Sequence, residues 1–102
     1  MEFQLVIQLP ESQCNDIDLI ADIEDKLDDY LIDAEVDGHD IGSEEVNIFI
    51  HTNAPDATLK QVKYILEEER FDLSYVKIAY RKIGSEKYVP LWPENLIEFN
   101  VK

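Results

Sequence analysis

Residues 33–52, DAEVDGHDIGSEEVNIFIHT, decide how the rest of this chain is read. In the second half of that stretch Val46, Ile48 and Ile50 alternate with Asn47, Phe49 and His51. A period of two with one wholly apolar face is the pattern of a strand that buries one side. The first half is a crowd of acids around Gly38 and Gly42. It reads as a short strand over 33–37 followed by a turn over 38–45.

Upstream, Phe3, Leu5, Ile7 and Leu9 alternate with Gln4, Val6 and Gln8, a second strand stopped by Pro10. A polar loop over 11–15 follows, with Asn15 or Asp16 placed to cap a helix. Ile17, Ile20, Ile23, Leu27 and Leu31 then recur at helical spacing. Downstream, the turn 53–56 starts another helix with Asp56 as its expected cap. That helix carries the stripe Leu59, Val62, Ile65 and Leu66 and ends near Arg70. Residues 75–81 read as a strand with Val76, Ile78 and Tyr80 inward. Gly84 marks a turn, and 88–92 reads as an edge strand, where Pro90 is tolerated because an edge needs fewer donors. The tail 96–101 is too apolar to stay undocked.

The order β-α-β-β-α-β with an appended hairpin is the split βαβ pattern. The expected class is α+β, a ferredoxin-like antiparallel sheet with both helices on one face. With 102 residues, 45% of them apolar, the chain is expected to form one domain over 1–102. On the uncovered face the strands would show Gln4, Val6, Gln8, Asn47, Phe49, His51, Tyr75, Lys77, Ala79 and Arg81. A mixed polar surface is expected there, partly covered by the tail, with Trp92 on Phe49. The single cysteine, Cys14, allows no internal disulfide and fits a reducing compartment. The first ten residues lack the basic start of a signal peptide, and no apolar run is long enough to span a bilayer. A cytoplasmic protein is expected.

Net charge is −14 and its placement is lopsided. Residues 1–56 hold sixteen acids and one base, Lys26, whereas residues 57–102 hold seven acids and eight bases. The excess negative charge therefore lies wholly in the first half. Such a field repels nucleic acid and anionic membranes and attracts basic protein surfaces, although it would equally serve solubility. Asp28 and Asp29 stand at the wrong end of the first helix for its dipole, so helix stability does not account for them. The candidate partner-binding set is Asp22, Asp25, Asp28 and Asp29 of the helix with Asp33, Glu35, Asp37, His39, Asp40 and Glu44 of the hairpin. The expected partner is a basic protein, with the chain itself a monomer or homodimer.

The spacing Asp33-x-Glu35-x-Asp37-Gly38 with Glu44 beyond it approaches a calcium-loop pattern, making Asp33, Asp37 and Glu44 weak metal candidates. Glu35 is longer than that pattern wants, and a strand follows where the calcium loop needs a helix. The alternative function is thus a metal- or small-ligand-binding domain using the acidic loop 33–44. His39 and His51 accompany no recognised metal motif. Acids around Cys14 oppose its activation. Phosphate-binding, dinucleotide-binding and nucleophile-elbow glycine patterns are absent, so neither enzyme activity nor a cofactor is expected.

The segments Asp37-Gly38-His39-Asp40-Ile41-Gly42-Ser43-Glu44 and Asn47-Ile48-Phe49-Ile50 resemble a stretch found in small uncharacterised bacterial α/β proteins, some of which resemble toxin-immunity proteins. That resemblance implies a small single-domain binding protein with no catalytic residues. Inhibitors of basic toxins commonly present carboxylates to their target, which would suit the acidic half.

Overall fold

A computed structural model of the protein describes residues 1–14, 17–42 and 44–101. Its elements are β1 (Phe3–Pro10), α1 (Ile17–Tyr30), β2 (Ala34–Ile41), β3 (Glu45–Thr52), α2 (Pro55–Glu68), β4 (Lys77–Lys82) and β5 (Val89–Trp92). Short 3₁₀ turns lie at Glu11–Gln13 and Leu73–Tyr75. The five strands form one antiparallel sheet in the order β2-β3-β1-β4-β5. Within it, β1 and β2 flank β3, and β3 and β4 flank β1. That double interleaving is the split βαβ, ferredoxin-like α+β arrangement, with β5 added at the edge.

The apolar stripes explain the layers. Leu5, Ile7 and Leu9 of β1, Val46, Ile48 and Ile50 of β3, and Ile78 of β4 meet Ile20, Ile23 and Leu27 of α1 and Val62, Ile65 and Leu66 of α2 in one core. Both helices therefore cover the same face of the sheet. Ile7 sits at the middle, opposite Ile48 on one side and Ile78 on the other. On the far face Val6 and Ala79 are fully buried beneath Phe99, with Phe49, Tyr88, Leu96 and Val101 around them. The tail thus roofs the second face. Trp92 does not pack there as expected: it joins the helix-side core, donates from Nε1 to the Leu73 carbonyl at 2.9 Å, and carries the Lys63 ammonium 3.7 Å above its ring.

The largest departure lies in β2. The expected short strand over 33–37 and turn over 38–45 are replaced by one eight-residue strand, Ala34–Ile41, with the next strand already starting at Glu45. Gly38 belongs to a β-bulge rather than a turn: Val36 faces Ile50, Gly38 faces Phe49, and Asp37 is the extra residue between them. Its φ of +136° is a conformation open to glycine and strained for other residues. The bulge inverts the alternation, because one inserted residue exchanges the two faces. Ala34 and Val36 face the helices before it, and His39 and Ile41, opposite Ile48 and Val46, face them after it.

Helix ends also differ in detail. The expected caps Asn15 and Asp16 lie outside the described residues. Asp56 sits in the first turn of α2 and is not its cap; Ala54 holds the cap position and Pro55 opens the helix. The Thr52 hydroxyl pins that start, accepting from the Ala54 amide at 3.0 Å and sharing a 2.7 Å hydrogen bond with Thr58. At the other end the Phe71 amide donates to Leu66 and the Arg70 amide to Glu67, a Schellman closure with Arg70 at φ +64°. A left-handed arginine is strained where glycine is not. Arg70→Gly is accordingly expected to stabilise the protein by roughly 0.5–1 kcal/mol, read as a higher denaturant midpoint at unchanged slope.

Candidate functional site: an acidic groove beside an edge strand

The stripe that buries Ile20, Ile23 and Leu27 turns Asp22, Asp25, Asp28 and Asp29 outward, and all four are exposed. Beside α1 runs β2, the edge of the sheet, whose outer backbone groups pair with no other strand. Between helix and strand lies a shallow groove of about 300 Å³ lined by Glu24, Asp25, Asp28 and Asp37 with Ala21, Val36 and Gly38. Among the described residues it has four carboxylates and no lysine or arginine on its walls. Lys26, the only basic residue of α1, is turned away and paired with Glu69 at the end of α2.

His39 is held at this groove by the bulge. Its Nδ1 lies 2.7 Å from Glu24 Oε1. An ionised carboxylate only accepts, so Nδ1 carries the proton of that bond. The pair ties the middle of α1 to the edge strand. Asp37, the bulged residue, also lies 3.6 Å from His51 Nε2 on β3.

The expected binding set is therefore divided. Asp25, Asp28 and Asp37 line the groove, with Glu24 as the member that sequence reasoning passed over; Asp22 and Asp29 are exposed elsewhere on the same helix. Glu35 and Asp40 pair with His51 and Asn47, whose side chains leave the sheet on the tail-covered face, so they point away from α1. Asp33, at φ +56°, lies in the link between α1 and β2, and Glu44, at φ +67°, lies in the hairpin turn. The alternation of a strand separates what a loop could have gathered. Asp33 and Glu44 lie beyond opposite ends of the extended eight-residue β2, so with Asp37 they are not assembled around a common point. Among the described residues no three histidine, cysteine or acidic side chains converge as a metal would require.

Cys14 is buried, and burial pushes its thiol above the usual range, the direction opposite to nucleophile activation. The Asp72 carboxylate is held below the usual range by hydrogen bonds from the Ser74 hydroxyl and amide, which close the 3₁₀ turn ahead of β4. Neither group lines the groove. Among the described residues no helix is long and apolar enough to cross a membrane.

Two exposed aromatics also escaped the sequence reading. Tyr30 and Tyr64 remain 64% and 60% exposed on the helix layer. Tyr64 lies off the apolar stripe of α2, which was a signal the sequence offered, whereas Tyr30 continues the spacing of Ile23 and Leu27 and is left open only because α1 ends there. Comparisons with family models, with curated proteins and with solved structures found no match to this chain.

Proposed function

We propose that this protein is a small binding module that presents α1 and the adjoining edge of β2 to a basic protein partner, in the manner of an immunity-type inhibitor. The groove of four carboxylates, with no lysine or arginine on its walls among the described residues, carries this reading. Glu24 and Asp37 have His39 and His51 beside them, but a surface set of carboxylates with no permanent cation among them marks where an opposite sign can be received. The resemblance of residues 37–44 and 47–50 to small uncharacterised bacterial α/β proteins, some of which resemble toxin-immunity proteins, is in keeping with this reading.

Long-range attraction between a chain of net charge −14 and a basic partner would speed their encounter and weaken as salt screens it. The test pairs the wild type with the triple variant Asp25→Lys, Asp28→Lys, Asp29→Lys as baits in the same host lysate. These side chains are exposed, so the fold should survive, as circular dichroism can verify. The expected result is a basic protein retained by the wild type, released as salt rises from about 0.05 to 0.5 M, and absent from the variant. Equal capture by both baits, or none by the wild type, would overturn the reading.

A further inference from the structure

The chain has two histidines, and both stand against carboxylates of the acidic groove. His39 reaches Glu24 from the edge strand, with Nδ1 2.7 Å from Oε1. His51 reaches Asp37 from β3, with Nε2 3.6 Å from Oδ2. The rings lie on opposite faces of the sheet, and the bulge connects them. The residue it inserts is Asp37, and the exchange of faces beyond it is what turns His39 toward α1.

Glu24 and Asp37 are two of the four carboxylates that line the groove, and among the described residues no lysine or arginine stands on its walls. Histidine is the side chain whose charge ordinarily changes between about pH 5 and 8. We propose that His39 and His51 make partner binding at the groove depend on pH. Neutral, they leave the carboxylates open to a basic partner; protonated, they occupy two of the four and weaken the groove's hold. This rests on the acidic-groove reading and adds its regulation.

The geometry gives each ring a definite part. His39 holds its first proton on Nδ1, toward Glu24, so the second goes to Nε2 and the imidazolium keeps the same hydrogen bond. At 3.6 Å His51 and Asp37 make no hydrogen bond, so this ring acts on its carboxylate only once charged. Protonation of both takes the groove with its histidines from four negative charges to a balance of two. The other groups around the rings do not reverse that effect. Near His39, α1 brings Asp25 and Asp28 of the same groove, β3 sets the uncharged Ile48 opposite, and β2 itself carries Asp37 and Asp40. Opposite His51 stand Glu35 of β2 and the uncharged Gln4 of β1. Arg81 of β4 lies one strand beyond and is held by Gln4 Oε1 and the Ser85 carbonyl. The cluster around Phe49, two residues along β3, brings the Tyr88 phenol and otherwise apolar side chains.

The experiment measures an oligo-lysine peptide binding to the whole protein by fluorescence anisotropy at about 0.05 M salt, at about pH 7.5 and about pH 5.5. The peptide keeps its charge over that window, and carboxylates ordinarily keep theirs. The wild type should bind roughly fivefold more weakly at the lower pH. In the double variant His39→Gln, His51→Gln that ratio should fall to near one, with binding at both pH values like that of the wild type at the higher. The double variant His39→Lys, His51→Lys fixes the positive charge and should bind weakly at both. Each single glutamine variant should keep part of the effect, which tests the same point with less disturbance of the strands. Both rings are partly exposed, and circular dichroism at the two pH values checks that the variants stay folded. Wild-type binding that ignores pH, or a pH effect that survives the glutamine substitutions, overturns the switch and leaves the acidic surface standing. No binding by the wild type at either pH overturns the two together.

Discussion

Truncating Ile7 to alanine is expected to lower the stability of this protein by roughly 3–4 kcal/mol, the middle of the range for a buried isoleucine. The reason is its position. Ile7 is fully buried on the central strand, with Ile48 and Ile78 as its neighbours across both ladders. Loss of its outer carbons opens a cavity between the sheet and the helices. Strands hydrogen-bonded on both edges have little freedom to close it, so the cavity cost adds to the lost transfer energy. Chemical denaturation should show the midpoint falling while the slope is kept, because the native fold and the surface exposed on unfolding stay the same. A loss below about 1 kcal/mol would show that the helices can settle onto the vacated space.

Phe99→Ala should cost about 2–3 kcal/mol, and it tests a different layer. Phe99 is 6% exposed and roofs Val6 and Ala79, with the Tyr88 ring 5.1 Å away. Without it the far face of β1 and β4 would be open to water. The expected loss is smaller than for Ile7 because the tail 94–101 belongs to no strand or helix and can move inward. In a domain of this length the change corresponds to a fall in melting temperature of roughly 10–20 °C. If the melting temperature is unchanged, the tail is a passenger on the sheet and the second core contributes nothing.

These two layers were unequally legible in the sequence. The helix-side core follows from periodicity: Leu5, Ile7 and Leu9 alternate, Ile20, Ile23 and Leu27 repeat at helical spacing, and each is buried as those patterns require. The far-side core was legible only as an excess of apolar residues in the tail. The alternating pattern marks Val6 as outward-facing, and it was the arrival of Phe99 from ninety-three residues away that made that face a second interior. Trp92 shows the same limit in reverse. Its apolar character demanded burial, but both faces of the sheet offered it, and the choice fell to the Leu73 carbonyl that accepts its N–H.

For the candidate site, composition and order were enough to place the negative charge: it lies in the first half of the chain, and the outward face of the first helix must carry much of it. Which acids share one surface was decided by tertiary structure. A single extra residue at Asp37 exchanges the faces of β2, so that His39 meets Glu24 while Asp40 turns away. A hollow between Tyr30 and Tyr64 exists only because two helices, separated in sequence by a hairpin, lie side by side. Periodicity is a property of one segment and survives in the sequence alone. A bulge's register and the meeting of two surfaces depend on the partner segment, and only the folded chain supplies it.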